Sequence, residues 1–415
     1  MPEIRAIILA AGKGTRLKSD IPKVLHHICG KPALSYIVDL VRSLKTYVVV
    51  GFGTKEVQKA IGSGVEYILQ DQLLGTGDAV RRVEGHLKGF HGDVLVLCGD
   101  TPLLEKSVVS RLITMHRRSK ASATILSAKV ADPYGYGRMI RDRRGAVTAI
   151  REQKDLSMRE MAINEINVGM YCFKAKDLFD ALRGVKLHHT KKEYYLTDVI
   201  EVLLAKTKKV SSYVSLDPNV AFGINTRQDV AHAEGIMRAR VLDQLMTAGV
   251  GIVDPATTFV DVGAKIGRDT IIYPCSAIAS DVVIGKHCKI GPFARIRPGT
   301  RIADNTEIGN FAEVSRTKIG KNVMMKHFSF LGDTTVGEYV NIGAGVITAN
   351  YDGKAKHPTV IGDQAFVGSD AILVAPVTIG KKAMVGAGSV VPRGTMVRPG
   401  SVVVGVPARL IRKVN

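Results

Sequence analysis

Lys265 to Val314 reads KIGRDTIIYPCSAIASDVVIGKHCKIGPFARIRPGTRIADNTEIGNFAEV, and this stretch decides how the C-terminal half is built. Ile266, Ile272, Ile278, Ile284, Ile290, Ile296, Ile302, Ile308 and Val314 fall six residues apart without a miss. After one-residue slips the beat resumes at Ile361, Val367, Leu373, Ile379, Val385, Val391, Val397 and Val403. A small residue often follows the aliphatic one, as in IGRD, IGKH, IGNF and VGSD. So many aliphatic positions in one register exclude chance. A six-residue period marks a parallel β-helix, in which each coil stacks its aliphatic side chains on the next. The beat is interrupted between Thr348 and Ile361 by ANYDGKAKHPTV, a polar and basic insertion. Insertions into a repeat map to loops, often on the binding face.

Outward from this region the period changes. Residues 227–248 read as one linking helix, starting after the cap Thr226 and ending at Gly249. Before it, β-branched runs alternate with amphipathic stretches: Ile4–Ala11, Thr46–Gly53, Asp93–Asp100 and Ser122–Val130 as strands, Pro32–Leu44 as a helix. This alternation predicts a doubly wound, parallel-rich α/β sheet. The expected domains are therefore 1–226, a linker at 227–248, and 249–415.

Composition narrows the class. Lys and Arg outnumber Asp and Glu 58 to 38, a net charge of +20, but 46% of residues are hydrophobic, so a basic disordered tail is excluded. The charge leaves nucleic acid, acidic membrane surfaces and phosphorylated small molecules as partners. The basic clusters HRRSK (116–120), RDRR (141–144) and KTKK (206–209) are scattered and lack interleaved aromatics, which argues against a specific nucleic-acid partner. The cysteines Cys29, Cys98, Cys172, Cys275 and Cys288 are odd in number and have no zinc or disulfide spacing. No apolar run is long enough for a transmembrane segment, and the N-terminal MPEIRAIILAAGKG enters a glycine-rich turn instead of a cleavage site. A cytoplasmic setting is expected.

The first strand leads into LAAGKGTRL (9–17), with IPKVL at 21–25. Gly12 and Gly14 clear the backbone for a phosphate or base, and Lys13, Arg16 and Lys23 supply cations. It is neither a Walker loop nor a dinucleotide fingerprint. Gln70, in QDQLLGTGDAV, offers an amide to a base edge. Asp100 ends an apolar strand, where an α/β sheet places a metal-binding carboxylate. Asn225, in GINT, adds an amide oxygen, and an Asp with an Asn plus substrate phosphates is how Mg²⁺ is usually held.

LAAGKGTR…PK, Q…LGTG, GD.PL, GYGR (135–138) and GINT resemble the sugar-1-phosphate nucleotidyltransferases. With hexapeptide repeats following, nearly the whole chain resembles the bifunctional N-acetylglucosamine-1-phosphate uridyltransferase/glucosamine-1-phosphate N-acetyltransferase family. The fold this implies is a Rossmann-like α/β nucleotidyltransferase domain followed by a left-handed parallel β-helix. The resemblance implies UTP and acetyl-CoA as cosubstrates, Mg²⁺ as cofactor, and synthesis of UDP-N-acetylglucosamine. By that resemblance Leu9, Ala11, Gly12, Gln70, Gly75 and Thr76 hold the uridine end of UTP, and Arg16 and Lys23 face its phosphates. Asp100 and Asn225 bind Mg²⁺, while Gly137, Glu152 and Asn167 hold the acetylated sugar.

In the repeats the resemblance makes His327 the general base for acetyl transfer. Arg297 and Lys356 would hold the sugar phosphate, and Asn341 and Tyr351 the sugar. Asn350, Tyr351, Ser369 and Ala387 would line the acetyl-CoA side, and the active form would be a homotrimer with sites between subunits. Three positions depart from the family pattern: Ser315 replaces a Lys, Lys326 a Gly, and Phe330 a Tyr. The repeat region is shorter than usual and its end, GVPARLIRKV, resembles generic hexapeptide acyltransferases. Two alternatives stand beside this reading. One is a monofunctional sugar-1-phosphate nucleotidyltransferase using UTP or dTTP with a degenerate β-helix. The other is a non-catalytic subunit of a translation-factor assembly, which would be expected to lose Lys23 or Asp100.

Overall fold

A computed structural model of the chain describes residues 3–188 and 192–413. The chain divides into two compact units, Met1–Glu234 and Gly235–Asn415. The helix read from sequence at 227–248 runs from Arg227 to Thr247 and straddles that division, so the units part within it and not at its start.

The main sheet of the first unit has, among the described residues, nine strands: β1 (Ile4–Ala10), β2 (Lys45–Val50), β3 (Glu66–Leu69), β4 (Asp93–Cys98), β5 (Ala123–Lys129), β6 (Arg138–Arg141), β7 (Val147–Arg151), β8 (Glu165–Lys174) and β9 (Val210–Ser215). They lie in the order β9–β5–β8–β4–β1–β2–β3, and the β6–β7 hairpin joins through β8. Pairing is parallel from β4 through β1 and β2 to β3, and between β5 and β9; β8 alone runs antiparallel between β4 and β5.

Side chains alternate across this sheet and bury both faces. Ile7, Tyr47, Val49, Val94 and Val96 form one apolar layer; Ile8, Val48, Leu95 and Leu97 form the other. Helices α1 (Ala33–Leu40), α2 (Thr54–Ile61) and α4 (Lys106–Ser119) cover the second layer through Leu34, Ile37, Val57 and Leu112, whereas α3 (Thr76–Arg81), α5 (Ala175–Leu182) and α6 (Asp198–Ala205) cover the first.

The expected strands are each longer than the real ones. Thr46–Gly53 stops at Val50 because the Phe52 N–H turns to the Ala11 carbonyl, and Asp93–Asp100 stops at Cys98, where the Thr101 hydroxyl donates to the Cys98 carbonyl. The helix expected over Pro32–Leu44 ends at Leu40 in a pair of tight turns. In each case the end is set by where the backbone changes hydrogen-bond partner, which the run of residue types does not mark.

The second unit is a left-handed parallel β-helix with three stacked sheets. Strand partners lie 18 residues apart, as Ile272 pairs with Ile290 and Ile290 with Ile308. Three six-residue steps thus make one coil. The one-residue slips are 17-residue coils, as between Ile302 and Ile319, and the insertion stretches one coil to 25, from Val336 to Ile361. The expected aliphatic positions from Ile272 onward are buried and form one core, and Ile266, half-buried, packs against its end. The small residue after each has a steric cause: a Cβ on Gly267 would stand 2.6 Å from the Gly285 backbone of the next coil, and one on Gly309 would stand 1.9 Å from the Lys326 carbonyl oxygen. The last strand, Arg409–Lys413, folds back antiparallel on Ser401–Val404.

Candidate active sites

In the first unit β1 and β4 end side by side, Leu9 opposite Cys98, and the loops leaving them wall a cavity of about 380 Å³. The residues assigned to the nucleotide end meet here: Leu9, Ala11, Gly12, Lys23, Gln70, Gly75 and Thr76, with Asp100. Leu73, Glu193 and Tyr195 also line it. Glu193 and Tyr195 come from a segment far along the chain from the loop that carries the glycines and cations.

Local packing explains the motif. At Gly14, φ is +65° and a Cβ would stand 2.6 Å from the Lys23 Cβ, so the turn closes onto Lys23 only with glycine there. A Cβ on Gly12 would meet nothing, and its backbone opens toward the cavity. Gly75 starts α3 with φ +94°, and a Cβ would lie 2.6 Å from the Tyr194 carbonyl oxygen. This close approach is clasped on both sides: Tyr194 N–H donates to the Leu74 carbonyl at 2.7 Å and Gly77 N–H to the Tyr194 carbonyl at 2.8 Å.

Gln70 is buried, and its amide nitrogen donates to the Gly75 carbonyl at 3.0 Å and to Asp78 at 2.9 Å. Asp78 thereby fixes the orientation of the Gln70 amide, a role for which the sequence offered no signal.

Asp100 and Asn225, far apart in sequence, are joined by the backbone: Ile224 N–H donates to the Asp100 carbonyl at 2.9 Å. The start of α7 (Arg227–Thr247) holds Asn225 in place. The Asn225 and Thr226 N–H groups both donate to Asp229 Oδ2 at 2.8 Å, and Asp229 N–H returns a bond to the Thr226 hydroxyl at 3.1 Å. This is a capping box, legible as Thr226 followed three residues later by an acid.

Lys23 Nζ lies 2.5 Å from Asp100 Oδ2 and 3.2 Å from Asn225 Oδ1, and Arg16 donates to that same Asn225 oxygen at 2.8 Å. Two cations thus answer one carboxylate, leaving the cavity mouth positive and suited to a polyphosphate. Burial pushes the thiol of Cys98, beside Asp100, up to about 12, which disfavours the thiolate.

Gly137, Glu152 and Asn167 come together in the same unit. Asn167 N–H donates to the Gly137 carbonyl at 2.8 Å, in the irregular register where β8 bulges. The Asn167 side chain accepts from Gly169 N–H and donates to Tyr171, and Gly169 accepts from the Cys98 thiol that lines the cavity. Glu152 accepts from Thr197 at 3.4 Å, two residues beyond Tyr195.

In the β-helix, His327 stands exposed at a corner, three residues after Met324, whose register partner on the next coil is Asn341. Arg297 is held by Glu313 at 2.8 Å. Tyr351 and Lys356 face each other across the inserted loop, and Tyr351 donates to the Gly353 carbonyl. Asp352 anchors that loop: it accepts from Lys354 and Ala355 N–H, from His357 at 2.6 Å, and from Arg393 at 3.2 Å. These contacts hold its carboxyl well below the usual range.

Ser369 and Ala387 are exposed on successive coils, where Gly388 N–H donates to the Ser369 carbonyl. Asn350 differs from expectation. It is buried, and its amide donates to Asp333, which Arg316 grips through two bonds at 2.6 and 2.8 Å. Ser315 is buried and accepts from Arg316, Lys326 pairs with Glu307 at 3.6 Å, and Phe330 lines an apolar groove with Phe311, Phe328 and Ile347.

Among the described residues no helix is long and apolar enough to cross a membrane, and the five cysteines are free. A MobA-like NTP transferase domain model matches residues 6–192, and a bacterial transferase hexapeptide model matches 263–298, 281–316 and 358–393. The chain is 44% identical to a "Bifunctional protein GlmU" of Pelotomaculum thermopropionicum, over 90% of each chain. It is 43% identical to the protein of that name from Shouchella clausii, over 93% of each. The Geobacillus thermodenitrificans protein of that name is 43% identical, over 99% of this chain and 96% of its own.

Proposed function

The chain belongs to the GlmU family of bifunctional proteins, and from that premise we propose how its residues divide the synthesis of UDP-N-acetylglucosamine. The hexapeptide domain transfers acetyl from acetyl-CoA to glucosamine-1-phosphate, and the nucleotidyltransferase domain joins the product to UTP. The observation that carries the residue assignment is the convergence of Lys23 and Arg16 on Asp100 and Asn225 at the cavity mouth.

For uridylyl transfer, the nucleoside end of UTP sits against Gln70, Gly75 and Thr76, with the Gly12 backbone open to the phosphates. A phosphate oxygen of N-acetylglucosamine-1-phosphate attacks the α-phosphorus; the new P–O bond forms as the bond to pyrophosphate breaks. Lys23 and Arg16 neutralise the charge gathering on the phosphoryl oxygens, and no protein nucleophile is needed. Gly137, Glu152 and Asn167 hold the sugar.

Two hard oxygens, Asp100 Oδ2 and Asn225 Oδ1, both lie within reach of one cation, Lys23 Nζ, and that donor set suits Mg²⁺. Asp100 and Asn225 would hold the ion, which supplies further neutralisation of phosphate charge.

For acetyl transfer, His327 takes a proton from the glucosamine-1-phosphate amine as it attacks and passes it to the departing CoA sulfur. The C–N bond forms at the thioester carbonyl as the C–S bond breaks. Arg297 and Lys356 hold the sugar phosphate, Asn341 and Tyr351 the sugar, and Ser369 and Ala387 the CoA. These residues are spread over several coils, and Phe293, Phe311 and Phe328 leave apolar surface exposed along the helix. Both features support a homotrimer with sites between copies. Free thiols and nucleotide substrates suit a cytoplasmic enzyme.

The test is UDP-sugar formation from UTP and glucosamine-1-phosphate, with and without acetyl-CoA. We expect product only with acetyl-CoA, loss of pyrophosphate release in Asp100→Ala, and loss of CoA release in His327→Ala. Wild-type pyrophosphate release by Asp100→Ala would remove the metal assignment. CoA release no higher than that of His327→Ala would leave a nucleotidyltransferase alone.

A further inference from the structure

Three basic stretches that stand apart in the sequence meet at one edge of the nine-stranded sheet. Among the described residues β9 is the outermost strand and pairs only with β5. On one side, Ser211 and Tyr213 line a groove of about 660 Å³ with Arg111, Thr114 and Arg118 of α4. On the other, Arg141 donates to the Ser212 hydroxyl at 2.8 Å, which brings up the β6–β7 turn carrying Arg143 and Arg144. Where the strand begins, Ser122 N–H donates to the Lys209 carbonyl at 2.8 Å, so the segment after HRRSK meets the end of KTKK. The two-residue alternation of a strand explains the arrangement, odd positions facing α4 and even positions the hairpin.

The carboxylates beside this edge are engaged. Asp93 takes His116 and Arg117, Glu165 takes Arg141 and Ser127, Asp177 takes Lys208, and Asp142 accepts the N–H groups of Arg144 and Ala146. Arg111, Arg118, Lys120, Arg143, Arg144 and Lys209 are exposed and make no ion pair among the described residues. None of them lines the nucleotide cavity.

We propose that this edge binds an extended acidic peptide, added as a further strand beside β9. An edge strand offers a row of backbone donors and acceptors to such a segment. Acidic side chains leaving the added strand on alternate sides would meet Arg111 and Arg118 on one rim and Arg143 and Arg144 on the other. A nucleic-acid strand fits less well, because Tyr213 is the single aromatic lining the groove and bases need a stacking platform.

The test uses the whole protein and a labelled eight-residue peptide of paired glutamates and paired valines, which as a strand presents acids on both faces, followed by fluorescence anisotropy. Binding is expected to weaken about tenfold or more in the double variant Arg111→Glu/Arg118→Glu, whose UDP-sugar synthesis stays at the wild-type rate. N-methylation of one alternate set of peptide nitrogens abolishes binding, while methylation of the other set is tolerated, because only one set faces β9. Equal binding of both methylated peptides overturns the proposal. So does unchanged affinity in the double variant, or displacement of the peptide at lower concentration by a single-stranded oligonucleotide of equal charge.

Discussion

Asp229→Ala removes no residue of the cavity, yet it is expected to impair uridylyl transfer. One carboxylate oxygen accepts the N–H groups of Asn225 and Thr226, each at 2.8 Å, and Asn225 carries the oxygen that Lys23 and Arg16 share. Loss of a helix N-cap acceptor costs about 1 kcal/mol, and a second charge-assisted bond in a half-buried setting raises the total to about 2 kcal/mol. That is about a 30-fold change in the local opening equilibrium. Hydrogen exchange at the Asn225 and Thr226 amides should accelerate by that factor, while β4 and β1 keep wild-type protection. In parallel, the Mg²⁺ concentration for half-maximal pyrophosphate release should rise about tenfold, with the substrate KM values changed less. Asp229→Asn keeps one acceptor oxygen and should fall between. Wild-type exchange at both amides in Asp229→Ala, with an unchanged Mg²⁺ dependence, would show that the cap does not position Asn225.

Gly75→Ala puts a methyl 2.6 Å from the Tyr194 carbonyl oxygen at a positive φ, so the clasp must open; we expect destabilisation of about 1–3 kcal/mol in urea melts and a raised KM for UTP. Ile290→Ala leaves a cavity within the aliphatic stack and should cost about 2–5 kcal/mol in the melting of the β-helix, with uridylyl transfer from supplied N-acetylglucosamine-1-phosphate intact. The Arg316 guanidinium beside Asp333 holds its carboxyl below the usual range, so the pair stabilises the fold above about pH 4 and the gain is lost as the carboxyl protonates below it. The stability gap between wild type and Asp333→Asn, followed by urea denaturation, should therefore be full at pH 7 and close as the pH falls below about 4.

The β-helix was legible residue by residue because its core is one-dimensional. Each interior side chain meets the side chain one coil on, so position along the chain maps directly onto position in the stack. The nucleotide loop was legible for a related reason: glycines and cations gather within one turn after β1. The remainder depended on pairings that no local pattern encodes. Asp78 reaches back to Gln70 from the first turn of α3, and Asn350 turns inward to Asp333 because the inserted loop leaves from a buried corner. The capping box at Thr226 and Asp229 was written in the sequence, but its consequence for Asn225 needed Ile224 to be seen against Asp100. The basic stretches looked scattered because β9, which gathers them, lies far along the chain from α4 and the hairpin.

A solenoid has two open ends, and each is a template on which another chain could keep growing. In this molecule the strand Arg409–Lys413 lies antiparallel on Ser401–Val404, against the direction of the other stacked pairs among the described residues of the unit. A fresh coil arriving in the common direction would find its docking register already taken by a strand of opposite polarity. The reversal works as a cover: it occupies a monotonous, self-complementary edge on which copies could otherwise stack.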